Sequence, residues 1–231
     1  MQYKNVIEAK FIARDNRFVA QVAINDAIIP VHVKNTGRCR ELLLPGVNVF
    51  LAASDNPARK TKYDLIAVEK TLPTGGKRVI NIDSQAPNAV VAEWLQQGNL
   101  FSPQAKIHRE VTYGKSRFDF FIEDGVRRIF LEVKGVTLEN NGISSFPDAP
   151  TSRGVKHVEE LLKALREHYE SYIMLVIQME DVVEFVPNDE IDANFGRALR
   201  QAAREGVKVL AFGSKVTPDS IKLKSAVKVN L

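Results

Sequence analysis

The chain has 231 residues, 45% of them hydrophobic and 26% charged, with a formal net charge of +4; this is the composition of an ordinary globular protein holding one large domain or two small ones. Cys39 is the only cysteine, which excludes a disulfide framework and a cysteine-based zinc site, and the four histidines, His32, His108, His157 and His168, show no metal-ligand spacing. The longest strongly apolar run, Tyr172 to Ile177, is far too short to span a bilayer, and Met1-Gln2-Tyr3-Lys4-Asn5 lacks the apolar core of a signal peptide, so a cytoplasmic protein with no membrane partner is expected.

Charge is unevenly placed. Residues 1–86 carry 13 Lys or Arg against 8 Asp or Glu, whereas residues 87–231 carry 19 against 20. A basic module joined to a near-neutral one suits a polyanion-binding platform attached to a domain with its own acidic site; a lysine-rich solvated surface is the alternative.

The first third reads as all-β. Phe18 to Ile24 is broken by Asn25-Asp26, Ala27 to Val33 runs into a turn at Asn35-Thr36-Gly37, and strands follow at Val47 to Ala53, Tyr63 to Lys70 and Val79 to Ile82. Five short strands with turn-rich links predict a small OB-like barrel over residues 1–86, a fold that binds nucleic acid across one face. Among its aromatics, Phe11, Phe18, Phe50 and Tyr63, most are expected in the core. Arg38 and Arg40, which flank the 35–37 turn, are the better phosphate candidates.

Composition shifts near Pro87, and residues 87–231 are expected to form a second domain. Asn88 can cap a helix through Gln96, closed by Gly98, with Glu93 in its middle. Ile107 to Tyr113 is expected to be the first strand of a sheet and carries Glu110.

A hairpin follows, built from Arg117-Phe118-Asp119-Phe120-Phe121-Ile122 and Ile129-Phe130-Leu131-Glu132-Val133-Lys134 around an Asp124-Gly125 turn. Strand alternation predicts that Phe118, Phe120 and Ile122 share one core face, as do their partners Ile129, Leu131 and Val133 on the facing strand. With a four-residue loop, Phe120 pairs with Leu131, Asp119 faces Glu132 and Arg117 faces Lys134. Like charges at paired positions destabilise a sheet, so the two carboxylates call for a compensating charge, and Mg²⁺ or Mn²⁺ is the candidate cofactor. Asp119, Glu132 and the Val133 carbonyl would hold it, with Glu93 or Glu110 as a third acid. Lys134, two residues past Glu132, would sit beside the bound water, which makes Asp119, Glu132 and Lys134 a phosphodiester-hydrolysis set. The alternative is a solvated face with a Glu132–Lys134 surface pair.

The connection from Thr137 to Pro150 is expected to hold no regular element for long. Thr151 or Ser152 then caps a helix whose Val155, Val158, Leu162, Leu165 and Tyr169 fall at helical spacing. Arg153 and Lys156 lie in its first turn, where exposed N–H groups and the dipole favour phosphate; with Arg117 they complete the nucleic-acid-binding candidates. Tyr172 to Ile177, Val182 to Val186 and Val207 to Phe212 read as buried strands, residues around Phe195 to Ala203 as a helix ended by Gly206, and Ile221 to Leu231 as a terminal strand. The fold class is therefore α/β in the second domain and α+β overall.

The order Asp119, twelve residues, Glu132-x-Lys134 resembles the active-site hairpin of PD-(D/E)xK nucleases, except that Phe118 replaces the motif's proline. Beyond that hairpin, Asn35-Thr36-Gly37-Arg38, Ser116 to Phe120, Leu131 to Leu138 and Phe146 to His157 resemble the signature blocks of the sugar fermentation stimulation protein A family, in order and across nearly the whole chain. The resemblance implies an OB-like domain, a PD-(D/E)xK nuclease-like domain and DNA as partner. The family's name records a link to sugar utilisation, which fixes no reaction, and DNA binding by a non-catalytic regulator stands beside DNA cleavage.

Overall fold

The computed structural model describes residues 1–231 apart from 36, 55 and 57, so the middle residue of the expected Asn35-Thr36-Gly37 turn lies outside the described residues. The chain begins with β1 (Val6–Arg14), in which Ala9 and Phe11 turn inward while Glu8 and Lys10 alternate outward. It continues through β2 (Val19–Ile24), β3 (Ala27–Val33), β4 (Asn48–Ala53) and β5 (Tyr63–Thr71). Asn25 and Asp26 form the two-residue β2–β3 loop, both at positive φ, as a primed hairpin turn requires. Strand β1 pairs with β2 and β4, β2 with β3, and β4 with β5, all antiparallel, and β3 meets β5 in parallel through His32↔Asp64 and Val33↔Leu65.

That circuit is a closed five-stranded barrel of OB type. Its membership corrects the strand assignment made from sequence: β1 is a barrel strand, and β6 (Lys77–Asn81), read above as the fifth, lies outside the circuit on β5. The alternation of Glu8 and Lys10 with Ala9 and Phe11 is short, and β2 and β4 flank it in the barrel. Phe11 and Phe50 are buried, whereas Phe18 is 53% exposed and serves no core.

After the barrel come α1 (Ala86–Gln96), β7 (Lys106–Tyr113), β8 (Ser116–Asp124), β9 (Arg127–Val136), β10 (Leu138–Asn140), β11 (Ile143–Phe146), α2 (Ser152–Arg166), β12 (Glu170–Ile177), β13 (Glu184–Pro187), α3 (Asp189–Glu205), β14 (Lys208–Thr217), β15 (Ser220–Ala226) and β16 (Lys228–Val229). The central sheet has the order β15-β14-β12-β9-β8-β7, with β9, β12 and β14 parallel. Strand β13, expected in this sheet, joins a small four-stranded one, β10-β11-β13-β16. Helix α1 lays Val90, Val91 and Leu95 against Phe120, Leu131 and Val133 on one face. Helices α2 and α3 bring Val158, Leu161, Phe195 and Leu199 to the other, over Phe130, Ile173 and Leu175. Asp192 ties the two helices: Oδ1 accepts the N–H groups of Asn194 and Phe195 at the start of α3, and Oδ2 accepts Thr151 N–H at the start of α2.

The barrel is fastened to the sheet by polar bonds. Gln178 Nε2 donates to Asn81 Oδ1 at 2.8 Å and to the Asp83 carbonyl at 3.1 Å, and Lys70 Nζ reaches Glu139 Oε2 at 2.9 Å. Among the described residues, no helix is long and apolar enough to cross a membrane.

Candidate functional site

The β8–β9 hairpin has the expected register, Phe120↔Leu131 and Ile122↔Ile129, closed by a two-residue loop at Gly125 and Val126 instead of four residues. The ladder ends at Phe120, and on the other side of β8 the Glu110/Asp119 pair drops out between Arg109↔Phe120 and Val111↔Phe118. Glu110 there takes a φ of +56°. The alternation of β8 breaks at this step: Phe120 and Ile122 face α1, but Phe118 lies against Phe130, Tyr113 and the His157 ring on the α2 side. The shared core face expected for Phe118, Phe120 and Ile122 is thus split at Asp119, because β8 peels away from both neighbours at that residue.

The peeling frees Asp119 to use its side chain where a ladder bond would run. Its Oδ2 accepts Val133 N–H at 2.7 Å, and Oδ1 accepts Asn88 Nδ2 at 2.6 Å. Asn88 was expected to cap α1; the helix instead begins at Ala86, with Pro87 in its first turn and no side-chain cap, and Asn88 sits inside, aimed at Asp119. The three apolar side chains of α1 on the sheet, each worth roughly 1.5 to 3 kcal/mol when buried, hold it there. In a strand the N–H and C=O of one residue point toward the same neighbour, so the Val133 carbonyl also faces the edge that β8 vacates.

Glu132 is 2% exposed on β9, between β8 and β12. Lys134 Nζ and His157 Nδ1 both donate to its Oε1, whereas Oε2 is buried with no hydrogen-bond partner among the described residues. Burial alone would raise the Glu132 pKa, but His157 and Lys134 outweigh it and hold the carboxyl below its usual range. Asp119 moves the other way: burial first, then the Glu132 charge, push it up to about 6. The pair therefore keeps its negative charge on Glu132 and its most available proton on Asp119.

A bare buried carboxylate oxygen costs on the order of 1 to 3 kcal/mol. Two carboxylates and a carbonyl are the hard-oxygen donors a divalent cation takes, so the residues present fit one. Among the described residues, no group of three or more His, Cys, Asp or Glu side chains stands together as a metal cage. The structure does not bring Glu93 to the pair, because its half-exposed carboxylate lies 2.5 Å from the Met1 amino group. Glu110 is in register with Asp119, yet its exposed carboxylate faces Arg117 at 3.6 Å. Arg117 is likewise on the surface, away from the position opposite Lys134 expected for it.

The basic candidates divide. Exposed Arg38 and Arg40, with Arg17, line a cleft of about 800 Å³ that is also lined by Phe146 to Thr151, so both modules build it together. Arg14 also lines it, but its guanidinium is spent on the carbonyls of Asn35, Gly37, Arg38 and Arg17 and organises the loop. Arg153 is exposed on α2 with Nε 3.5 Å from His157 Nε2, and Lys156 Nζ donates to the Lys115 carbonyl at 2.6 Å. Sequence reading missed Asn88 and His157 as site residues. The available signal for His157 was its place on the apolar face of an amphipathic helix, where a histidine needs a buried partner.

Residues 12–82 match the family profile described as SfsA N-terminal OB domain, and residues 85–220 match the sugar fermentation stimulation protein RE domain. A sugar fermentation stimulation protein homolog of Desulfitobacterium hafniense (strain Y51) is 52% identical over 231 residues, covering 100% of this chain and 99% of the relative. One of Clostridium beijerinckii is 50% identical, covering 100% of both chains. The solved structure of Pyrococcus furiosus SfsA in complex with Ca²⁺ superposes with a TM-score of 0.89 at 26% identity, covering 100% of this chain and 98% of that one. The chain therefore belongs to the sugar fermentation stimulation protein family.

Proposed function

We propose that the protein is a DNA-binding, divalent-metal-dependent phosphodiesterase whose acid pair is Asp119 and Glu132. The observation that carries this reading is the pair itself: a buried and a half-buried carboxylate at facing positions of adjacent strands, the buried one with an unpartnered oxygen and a lysine bound to it. Such a pair is costly unless a cation occupies it. The Ca²⁺ complex of the Pyrococcus furiosus relative supports a divalent site in this chain as well.

Asp119, Glu132 and the Val133 carbonyl would hold Mg²⁺ or Mn²⁺, which supplies a water of lowered pKa and charge neutralisation at phosphorus. Asn88 and Val133 N–H orient the Asp119 carboxylate. Lys134, 15% exposed, has Nζ at the edge of the pair, where it can hold the attacking water and stabilise charge developing on phosphate oxygens. Arg38 and Arg40 in the cleft offer the phosphate contacts; Arg153, Lys156 and Arg117 are outer contributors, since each already has a partner.

The test is to incubate purified protein with single-stranded, duplex and branched DNA, with Mg²⁺ or Mn²⁺ and then with chelator. Cleavage of at least one form is expected, abolished by chelator and by Glu132→Gln. Tight binding without cleavage of any form would reject the enzyme and leave a DNA-binding regulator that uses the fold as scaffold.

A further inference from the structure

We infer that His157 is a positioning residue of the proposed metal site, one that occupies Glu132 Oε1 and thereby reserves Oε2 for the cation; the assignment rests on reading Asp119 and Glu132 as cation ligands. His157 is 5% exposed on the face of α2 that packs on the sheet, with Gly154 and Leu161 buried one turn to either side. Its Nδ1 donates to the oxygen that also receives Lys134, so two donors converge on Oε1 and none on Oε2. A carboxylate buried for structure alone is expected to share its donors between both oxygens. Here the uneven distribution fixes which oxygen is free.

Two further contacts hold the imidazole. The Phe118 ring meets it edge-on, with ring centroids 6.3 Å apart, and Arg153 Nε stands 3.5 Å from Nε2. Donors on two different elements, His157 on α2 and Lys134 on β9, fix the plane of the Glu132 carboxylate, with one oxygen engaged and the other left open. With Nδ1 engaged on Glu132 and Nε2 facing Arg153 Nε, His157 acts through Glu132 and not as a ligand. Hydrogen bonds of this kind to ligating groups typically change metal affinity 10- to 100-fold.

Calorimetric titration of the full chain with Mn²⁺ tests the assignment. His157→Leu is expected to weaken binding about 10- to 100-fold, and His157→Asn, whose amide nitrogen lies the same number of bonds from Cβ as Nδ1, to restore it to within a few-fold. Ring ¹H–¹⁵N spectra during Mg²⁺ titration should keep the His157 Nδ1–H at saturation, and this measurement decides the matter even if the leucine variant fails to fold. Equal Mn²⁺ affinity of wild type and His157→Leu, with binding lost in Glu132→Gln, overturns the inference and leaves the metal reading standing. Disappearance of Nδ1–H on Mg²⁺ binding makes His157 a ligand and overturns it too. A wild type that binds neither Mn²⁺ nor Mg²⁺ overturns both.

Discussion

Asp119, half-buried, and Glu132, fully buried, have different partners, and the difference sets how the protein responds to pH. Burial and the neighbouring Glu132 charge raise Asp119 to about 6, so the folded state retains a proton that the unfolded chain releases near pH 4. The stability this gives is complete below pH about 4 and is lost as pH rises through 6. In chelator, Asp119→Asn should therefore match the wild type near pH 4 and exceed it at pH 7 by on the order of 1 to 3 kcal/mol, measured by urea denaturation across that range. Saturating Mg²⁺ should reverse the order at pH 7 by stabilising only the wild type. Lys134 makes a kinetic prediction: Lys134→Ala should bind DNA nearly as well as wild type while metal-dependent cleavage falls about 10²-fold or more. Lys134→Arg should rescue poorly, because a planar fork cannot stand in for a compact ammonium beside Glu132. A Lys134→Ala variant that loses binding and cleavage equally would make this lysine a phosphate contact.

At the scale of elements, the site depends on how closely α1 approaches β9. Gly135, directly after Lys134, has no room for a methyl group: a Cβ there would overlap Gln178 Oε1 and come within 2.9 Å of Pro87 Cγ. Pro87 and Asn88 are consecutive on α1, so the missing side chain on β9 is what lets Asn88 reach Asp119. Gly135→Ala should push α1 outward, cost about 1 to 3 kcal/mol by overpacking and lower the thermal midpoint by several degrees. It should also weaken divalent-cation binding, since Asp119 loses its orienting amide; unchanged melting and unchanged Mn²⁺ titration would show that α1 accommodates the methyl group freely.

Across the whole molecule, the arginines of the basic cleft and the acid pair sit on different modules held in one arrangement by the buried bonds of Gln178 to Asn81 and Asp83 and the half-buried bond of Lys70 to Glu139. Arg38, Arg40 and residues 146–151 all line the cleft, so a polyanion docked there would touch both modules. If about four to six phosphates are neutralised, log K against log salt should have a slope of roughly −4 to −5 for the full chain, and Arg38→Ala should reduce it by about one. Fluorescence anisotropy at several salt concentrations measures this, and a flat dependence would rule out the cleft as an electrostatic DNA site.

The sequence by itself determined the parts whose cause is local. Alternation and turn residues marked β2, β3 and β5; the amphipathic spacing from Val155 to Leu165 and the Thr151 cap marked α2; and the Asp119, Glu132 and Lys134 spacing placed those three together, because a hairpin register follows from its loop and its apolar pattern. Tertiary structure decided what depends on residues distant in sequence. Strand β1 belongs to the barrel because β2 and β4 pair with its two edges and the barrel core buries Ala9 and Phe11, and Phe118 turns to α2 because β8 leaves the ladder at Asp119. Glu93 pairs with Met1, 92 positions away, instead of joining the acids. Asn88 and His157 reach the carboxylates from 31 and 25 positions away, on helices placed by core packing. Their hydrogen bonds depend on side-chain direction across packed layers, and no spacing along the chain encodes that direction.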